Sequence, residues 1–379
     1  MKIAVDLSFL RPDHTNGGTE SVIRNLMKGW CDLGVAQEFV FFVHKDIYED
    51  YKKLYPECLF DVYATHGTHK LRTIVFQTFF LSQRIKKHQP DILFYPSYVT
   101  GYHGRLSIPV VVTPHDIQFK FYPQYFSKFK RWYLQVGYSH ALKMADQIVA
   151  ISDYVKGTLL QYFPKECGNK VVTIYNPIHF SDGEKSKDYE AIKDICSPII
   201  LSVSSIARHK NMITLVKAYE KIKKNIPYQL VIVGCKGNGM SEINEYLEKH
   251  DLKERVIFTD YVNGPQLEWL YDNTILYVTT SLYEGFGMTP VEAIGRGIPT
   301  ISSTSTSLKE VTMGLAEYYD PPENEDVLAE EMMRLIDRIK RYPQEMKSDY
   351  SNKGEILKEK YREDIIAGQY YQLFEKLVL

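Results

Sequence analysis

One stretch of the sequence combines two carboxylates and two glycines at a spacing suited to binding a phosphorylated sugar. It runs from Ser281 to Ala293 and reads Ser-Leu-Tyr-Glu-Gly-Phe-Gly-Met-Thr-Pro-Val-Glu-Ala. Glu284 and Glu292 lie eight positions apart, and each carboxylate can accept hydrogen bonds from two neighbouring hydroxyls of a sugar or ribose ring. Between them, Gly285 and Gly287 allow the backbone to approach a ligand without a Cβ in the way.

The pattern around this stretch predicts a strand, a loop and a helix in succession. The apolar run 275–280 is typical of a buried strand, and a short helical pattern follows it. The first amides of a helix have no partner within it and favour an anion, so Phe286, Gly287 and Met288 are candidate phosphate contacts. The alternative is a plain strand-to-helix turn with solvated carboxylates, which a lone Gly-x-Gly would favour.

The whole string resembles the E-G-F-G-x-x-P-x-E-A signature of retaining glycosyltransferases of the group 1 or family 4 type, which include mannosyltransferase-like enzymes. Both acids, the aromatic residue, both glycines and the proline are in register. The resemblance implies an α/β fold of the GT-B type, with two Rossmann-like doubly wound domains, a cleft between them and a C-terminal helix crossing back to the first domain. It also implies that Glu284 holds donor-sugar hydroxyls and that Glu292 holds the ribose diol.

A basic cluster at a second strand–helix corner is suited to a diphosphate, although a solvated turn is the alternative. In the family, this strand leads either to an Arg with a Lys five positions later, or to a variant ending Arg-Lys-Asn. Lys210 and Asn211 match the variant, whereas His209 stands at its Arg. Ser205 stands at the Arg of the first form, and Arg208 is the candidate substitute. We therefore predict that Lys210 and Arg208 bind the diphosphate and that Ser205 borders the donor.

Further donor contacts are predicted in two loops and one strand end. The resemblance assigns Tyr261 and Val262 to a loop that holds the base largely with backbone groups. The pair Gly17-Gly18, between the first strand and first helix, can bring amides against a ligand, although a plain loop is the alternative. His115 follows a strand, at the edge where open α/β sheets bind ligands. The resemblance implies that His115 contacts the sugar.

Strand and helix patterns alternate along the chain and predict two doubly wound halves. A length of 379 residues also suggests about two domains. We expect an N-terminal acceptor-side domain over residues 1–180 and a linker over 181–196. A nucleotide-sugar-binding domain over 197–355 and a returning C-terminal helix over 356–379 would follow.

Composition indicates the cellular compartment of the protein and limits which metals or cofactors it could use. The five cysteines are scattered and form no Cys-x-x-Cys pair, which argues against a disulfide framework or a zinc site. The N-terminus resembles a strand rather than a signal peptide, and no apolar run reaches the roughly 20 residues of a membrane helix. We therefore expect a cytoplasmic protein. Because no Asp-x-Asp triplet occurs, we also predict no metal and no cofactor besides the nucleotide-sugar co-substrate.

Charge is unevenly distributed along the chain. Residues 1–180 carry 21 Lys/Arg and 15 Asp/Glu, whereas residues 181–379 carry 25 and 32. A basic half favours an anionic partner; a membrane surface or a lipid phosphate is preferred, because no nucleic-acid-binding motif is present.

Two basic segments could form such a surface. The segment 119–133 holds four cations, eight aromatic residues and no acid, which would suit a lipid-linked acceptor; inward-packed aromatic residues are an equal alternative. Residues 62–90 contain no acid either. For their apolar core, 74–81, a helix packed in the domain is favoured over one lying on anionic lipid.

Together these features predict a retaining glycosyltransferase that moves a sugar from a nucleoside diphosphate to a hydroxyl of a glycan or lipid-linked acceptor. The His-Asp pair at His115 and the Lys-Asn pair at Lys210 resemble users of GDP-mannose more than users of UDP-sugars, so mannose transfer in bacterial surface polysaccharide synthesis is preferred. A UDP-sugar donor, a nucleotide-sugar epimerase of the same architecture and a non-catalytic sugar-binding protein are the alternatives.

Overall fold

The chain forms two compact units, each built around one parallel β-sheet. The computed structural model describes residues 1–12, 16–64, 75–98, 107–180 and 183–379. Unit 1 comprises Met1–Ile178 together with Tyr361–Leu379, and unit 2 comprises His179–Lys360. The predicted α/β class with two Rossmann-like domains is therefore confirmed.

Seven parallel strands form the sheet of unit 1, in the order β3-β2-β1-β4-β5-β6-β7. They are β1 (Ile3–Asp6), β2 (Phe39–His44), β3 (Leu59–Tyr63), β4 (Ile92–Tyr95), β5 (Val110–Val112), β6 (Gln147–Ala150) and β7 (Val171–Thr173). All residues of β1, β2 and β4 are buried, as expected for central strands covered on both faces. The edge strand β3 is not predicted from the sequence, since only its last residue, Tyr63, is fully buried.

The helices of the first part of unit 1 connect these strands. They are α1 (Gly18–Asp32), α2 (Lys45–Leu54), α3 (Leu81–His88), α4 (Gln118–Phe121), α5 (Lys128–Met144), α6 (Asp153–Tyr162) and α7 (Pro164–Cys167). Serine caps fix two of their starts, because Ser127 Oγ accepts from the amide of Lys130 and Ser152 Oγ accepts from the amide of Val155. A π-helical turn, Phe76–Phe80, leads into α3.

Unit 2 contains six parallel strands in the order β10-β9-β8-β11-β12-β13. They are β8 (Ile199–Val203), β9 (Leu230–Val233), β10 (Val256–Phe258), β11 (Thr274–Thr279), β12 (Thr300–Ser303) and β13 (Glu317–Tyr319). The strand order reverses between β8 and β11, and open α/β sheets bind ligands at the carboxyl end of such a switch point.

Helices cover both faces of the unit 2 sheet. They are α8 (Met212–Ile222), α9 (Met240–Lys249), α10 (Gly264–Asp272), α11 (Met288–Gly295), α12 (Leu308–Val311), α13 (Glu325–Arg341) and α14 (Pro343–Tyr361). Consecutive residues of β8 point to opposite faces, and they enter two different apolar clusters: Ile200 packs in one and Leu201 in the other. The sheet is therefore doubly wound.

The last helix, α15 (Glu363–Val378), packs against α1 within unit 1. Trp30 of α1 donates from Nε1 to the backbone oxygen of Ala367, 3.1 Å away. The predicted tail, 356–379, differs in one respect: it begins inside α14 and is interrupted at Arg362, so it belongs to two helices.

Candidate functional site

The stretch that carries the signature lies at the carboxyl end of β11, next to the end of β8, and these strands pair in parallel. Thr280 donates from Oγ1 to the backbone oxygens of Lys210 and Asn211, both at 3.0 Å. The amide of Leu282 donates to the backbone oxygen of His209 at 2.7 Å. The two corners that the sequence predicts separately are thus hydrogen-bonded into one.

Lys210 and Glu284 form an ion pair at this joint corner. Nζ of Lys210 lies 2.6 Å from Oε1 of Glu284, and each side chain is 17% exposed. Ser281 Oγ donates to the same oxygen at 2.7 Å. Among the described residues, Oε2 of Glu284 has no hydrogen-bond partner, so it can accept a hydrogen bond from a ligand hydroxyl.

Two hydroxyl side chains that the sequence does not assign hold the backbone of this corner. Thr306 Oγ1 lies 3.0 Å from both the amide nitrogen and the carbonyl oxygen of Glu284. Ser307 Oγ donates to the backbone oxygen of Phe286 at 2.8 Å. Thr306 and Ser307 both lie outside the stretch 281–293, so the sequence pattern gives no signal for these contacts.

Helix α11 begins with a backbone conformation that favours glycine. Gly287 precedes the helix with φ 95°, a left-handed conformation that other residues rarely adopt. Within the part of the chain that the structure describes, the amides of Gly287 and Met288 have no hydrogen-bond partner. The Phe286 side chain is buried, so only its backbone can face a ligand. This arrangement suits a phosphate.

Glu292 lies in α11 and contacts a buried tyrosine. Its Oε2 accepts from the hydroxyl of Tyr271 at 3.0 Å. Burial raises the pKa of Glu292, although the positive charge of Arg296 and the Tyr271 hydrogen bond oppose this effect. Burial and the charge of Glu292 raise the pKa of Tyr271 far above its usual range, so Tyr271 stays protonated and donates. Oε1 of Glu292 has no hydrogen-bond partner among the described residues.

The basic turn before Lys210 contains one group that is neutral at pH 7. Arg208, His209 and Lys210 form a short 3₁₀ turn. Burial and the adjacent Lys210 charge lower the pKa of His209 to about 4. Arg208 is exposed, and its amide donates to Asn238 Oδ1 at 2.9 Å. The positive charge of this turn therefore comes from Arg208 and Lys210.

The predicted base loop follows β10. Tyr261 is 62% exposed, whereas Val262 packs in the apolar core. Any contact of Val262 with a base must therefore use its backbone. Lys236 pairs with Asp260 at 3.0 Å beside this loop. Ser205, beyond the end of β8, is also exposed.

In unit 1, His115 is neutral and hydrogen-bonded. Its Nε2 lies 3.0 Å from the backbone oxygen of Pro96, so Nε2–H donates and Nδ1 is left as an acceptor. Burial lowers the pKa of His115. A ring in this tautomer can accept a hydrogen bond from a sugar hydroxyl.

His115 lines a cavity of about 390 Å³ in unit 1. Asn16 and Thr19, which flank the predicted Gly17-Gly18 corner, line the same cavity. Gly17 precedes α1 with φ 59°, and a Cβ added there would meet nothing within 4 Å. Glycine is therefore needed at this position for backbone conformation rather than for space.

The aromatic residues of segment 119–133 divide between two environments. Phe119 is buried, whereas Phe129 and Trp132 on α5 are 73% and 61% exposed, with ring centroids 6.0 Å apart. In the other basic segment, Phe79 and Phe80 are also exposed. The cations Lys70 and Arg72 of that segment lie outside the described residues.

The described ranges, which omit 13–15, 65–74, 99–106 and 181–182, contain no group of three His, Cys, Asp or Glu residues placed to hold a metal ion. In the same ranges, no helix has the length and apolar character needed to cross a membrane. All five cysteines are free thiols.

Two family models match the chain. "Glycosyl transferases group 1" matches residues 188–354, and "Glycosyltransferase Family 4" matches residues 16–182. The first match lies within unit 2 and the second largely within unit 1. Together they account for most of the chain.

Curated relatives and solved structures agree with these matches. The O-antigen chain mannosyltransferase RfbU of Salmonella typhimurium is 26% identical, over 61% of this chain and 63% of its own length. The O-antigen chain mannosyltransferase B of Escherichia coli is 25% identical, over 64% and 66%. The chain thus matches slightly less than two thirds of the length of these relatives.

Among solved structures, a sucrose-phosphate synthase from Thermosynechococcus elongatus superposes with a TM-score of 0.79 at 20% identity, covering 100% of this chain and 99% of that one. HepE from Anabaena, in complex with UDP and glucose, superposes with a TM-score of 0.71 at 17% identity over all of both chains. These likenesses show a GT-B fold.

Proposed function

Because the chain belongs to the group 1 and family 4 glycosyltransferases, we propose that it transfers a sugar from a nucleoside diphosphate to an acceptor hydroxyl, with retention of configuration and without a metal ion. The observation that carries this proposal is the Lys210–Glu284 ion pair, which joins the turn after β8 to the corner after β11. A cation beside a carboxylate fits a donor whose diphosphate adjoins a ring of hydroxyls.

The chemical task is to stabilise the negative charge that develops on the departing diphosphate. Lys210 and Arg208 supply positive charge, and the amides of Gly287 and Met288 supply hydrogen-bond donors. Removing one such preorganised contact typically raises a barrier by about 2.7–4 kcal/mol. The leaving phosphate oxygen takes the acceptor proton as the new glycosidic bond forms, so the proposal assigns no general base to the protein.

The remaining residues are proposed to contact separate parts of the donor. Glu284 accepts from a sugar hydroxyl through Oε2, and Glu292 accepts from the ribose. Tyr261 and the Val262 backbone border the base, and His115 accepts from a sugar hydroxyl through Nδ1. Ser205 and the Gly17-Gly18 corner are proposed to border the diphosphate. Free acceptor atoms on both carboxylates support these assignments.

The central test replaces Glu284 with Gln, which keeps the shape of the side chain and removes its charge. We expect kcat/KM for transfer to fall by about a hundredfold or more, as for loss of one transition-state contact. Glu330→Gln, at an exposed position of α13, is the matched control and should behave as wild type. Near-normal transfer by the Glu284→Gln variant would remove the basis of the proposal.

The preferred donor is GDP-mannose, because the two curated relatives described above are named mannosyltransferases. UDP-sugars are the second candidate, since HepE was solved with UDP. Thermal shifts with GDP, UDP, ADP and their sugars separate the two, because a ligand at a hundred times its Kd adds about 2.7 kcal/mol of stability. Stabilisation by UDP alone would reject GDP-mannose.

Two assays of the reaction itself test whether it needs a metal ion and whether it needs an acceptor. Transfer should continue in excess chelator, and its loss with recovery on adding Mn²⁺ would contradict metal independence. NMR of the product should show transfer only when an acceptor is present. Conversion of the donor without an acceptor would indicate an epimerase, and an intact donor under all conditions would indicate a non-catalytic binding protein.

For the acceptor, we propose a glycan or lipid-linked hydroxyl in bacterial surface polysaccharide synthesis, reached at the inner face of the cell membrane. The support is the α5 surface, defined here as Lys128, Phe129, Lys130, Arg131 and Trp132. Its exposed rings, Phe129 and Trp132, lie beside the exposed Lys128, whereas Lys130 also lines the His115 cavity and Arg131 is half-buried. Exposed rings combined with cations suit anionic lipid.

A further inference from the structure

We infer that Tyr271 is a positioning residue for Glu292, and that it sets the affinity for the ribose of the donor. The inference rests on the proposed function, because it takes Glu292 as the ribose contact. Tyr271 lies in α10 and Glu292 in α11, so the contact depends on the packing of two helices rather than on the signature stretch.

The contact leaves Glu292 with one oxygen held and one oxygen available. The Tyr271 hydroxyl donates to Oε2 at 3.0 Å, while Oε1 has no partner among the residues that the structure describes. A carboxylate fixed at one oxygen can turn only by breaking that bond, so Oε1 is held in one direction. A rigid acceptor loses less conformational entropy when a hydroxyl binds to it.

A second pair of residues holds the Tyr271 ring. The guanidinium carbon of Arg296 lies 4.4 Å from the ring centroid. Arg296 also donates to both carboxylate oxygens of Glu268, from Nη2 to Oε1 at 2.5 Å and from Nε to Oε2 at 3.3 Å. Both side chains of this ion pair are 15% exposed. A fork-like pair of this kind fixes the plane of the guanidinium, which in turn covers the ring.

These contacts tie the two helices together at two points. Glu268 and Tyr271 lie one turn apart on α10, Glu292 lies in α11, and Arg296 directly follows the last residue of α11. Glu268, Tyr271 and Arg296 also line a cavity of about 350 Å³. The Tyr271 ring itself is buried in an apolar cluster of unit 2, so core packing, the Arg296 stacking and the hydrogen bond together determine where its hydroxyl points.

The contact also favours the ionised form of Glu292. Burial raises the pKa of this carboxyl, and the nearby charge of Glu268 raises it further. Arg296, the Tyr271 hydroxyl and His179 lower it. Loss of the hydroxyl would therefore weaken Glu292 as an acceptor in two ways, through its direction and through its charge.

The test is a cycle that combines one substitution with one change in the ligand. Isothermal titration calorimetry measures Kd for GDP, 2′-deoxy-GDP, UDP and 2′-deoxy-UDP with the wild-type protein and the Tyr271→Phe variant. We expect Tyr271→Phe to raise the Kd of the ribonucleotide that binds by about tenfold, as for loss of a hydrogen bond to a charged group. The Kd of its 2′-deoxy counterpart should change by less than threefold.

Two further variants distinguish a positioning role from a structural one. Tyr219→Phe removes another buried hydroxyl, which bonds the Tyr228 backbone and Arg255 instead of Glu292. It should therefore affect the Kd of the ribonucleotide and of its 2′-deoxy counterpart equally. Arg296→Lys keeps the charge but loses the fork and the planar stacking, so it should repeat the Tyr271→Phe pattern more weakly.

The outcomes are distinct. An equal loss for the ribo- and deoxynucleotide, or no loss, would reject the positioning role while leaving the proposed function intact. Failure of the wild-type protein to bind any of these four nucleotides, and also ADP, would instead overturn the proposed function, and the role of Glu292 with it.

Discussion

A single neutral histidine beside Lys210 should make the stability of the protein depend on pH. The pKa of His209 is lowered by burial to about 4, from 6.5. Below pH 6.5 the unfolded chain therefore takes up a proton that the folded chain does not bind. The free energy of unfolding should consequently fall between pH 6.5 and 4, by up to about 3 kcal/mol from this residue.

Urea unfolding of the wild-type protein and the His209→Asn variant at pH 7 and pH 5 measures this contribution. Other groups titrate in the same window with the opposite sign; burial raises the pKa of Asp6 to about 6, for example. The informative quantity is therefore the difference between the two proteins. His250→Asn serves as the control, and an equal pH dependence in the wild-type and His209→Asn proteins would contradict the prediction.

A substitution at Gly287 tests whether the backbone at the start of α11 binds a phosphate. Its φ of 95° disfavours any residue with a Cβ, and an added Cβ would lie 2.5 Å from Cδ2 of Leu308. Gly287→Ala should destabilise the protein by about 1–3 kcal/mol and also weaken nucleotide binding, because the amides of Gly287 and Met288 would move.

Gly314 supplies a matched control for that substitution. It also has a positive φ, 72°, but an added Cβ would meet nothing within 4 Å. Gly314→Ala should therefore cost stability through strain alone and leave nucleotide affinity unchanged. Thermal unfolding and calorimetry together separate the two effects, and wild-type affinity in Gly287→Ala would exclude these amides from the donor site.

At the scale of elements, the packing of α1 against α15 depends on one glycine. An added Cβ at Gly29 would lie 2.3 Å from the backbone oxygen of Glu363 and 2.6 Å from Cβ of Ala367. A backbone oxygen cannot move aside as a side-chain end can, so α15 would be displaced. We expect Gly29→Ala to lower the free energy of unfolding by about 1–3 kcal/mol.

For a glycine of α15, the opposite change in stability is expected. At Gly368 of α15, an added Cβ would lie 3.8 Å from Leu33, an ordinary contact distance. Gly368→Ala should therefore stabilise the protein by about 0.5–1 kcal/mol through helix propensity. Denaturant unfolding of both variants tests the pair, and similar effects at the two positions would refute close packing at Gly29.

Sequence patterns predict the elements around the signature because the information is local there. The apolar run of β11, the glycines and the following helical pattern all lie within about two dozen residues. The edge strand β3 escapes prediction because an exposed edge needs no continuous apolar run. The break at Arg362 escapes it because α14 and α15 are both helical, and the helical pattern shows no gap between them.

The parts of the site that the sequence misses are those that depend on sheet order. Thr306 and Tyr271 contact Glu284 and Glu292 only because β12 and α10 pack next to β11 and α11. Neither residue belongs to the signature, and neither type is unusual in a buried position. Local pattern therefore identifies which residues bear charge, whereas tertiary packing determines which residues hold them.

On the scale of the whole molecule, the N-terminal half has a net positive charge, because residues 1–180 carry 21 Lys/Arg but only 15 Asp/Glu. Exposed rings occur on the α5 surface. If this surface binds anionic membranes, replacing Lys128, Lys130 and Arg131 with Gln should abolish co-sedimentation with vesicles containing phosphatidylglycerol. Phe129→Ser with Trp132→Ser should reduce it, since burial of these rings in the membrane interface also contributes. Binding should weaken with added salt, because counterions screen charges beyond a Debye length of about 10 Å at 0.1 M.

The control must match the change in net charge without touching the α5 surface. Lys45, Lys53 and Lys165 are exposed cations elsewhere in unit 1, and their triple replacement by Gln removes the same charge. If vesicle binding depends on the local combination of rings and cations, this control should bind nearly as wild type. Equal losses in the two triple variants would mean that net charge alone drives the association, and unchanged binding by the α5 variant would reject the membrane proposal.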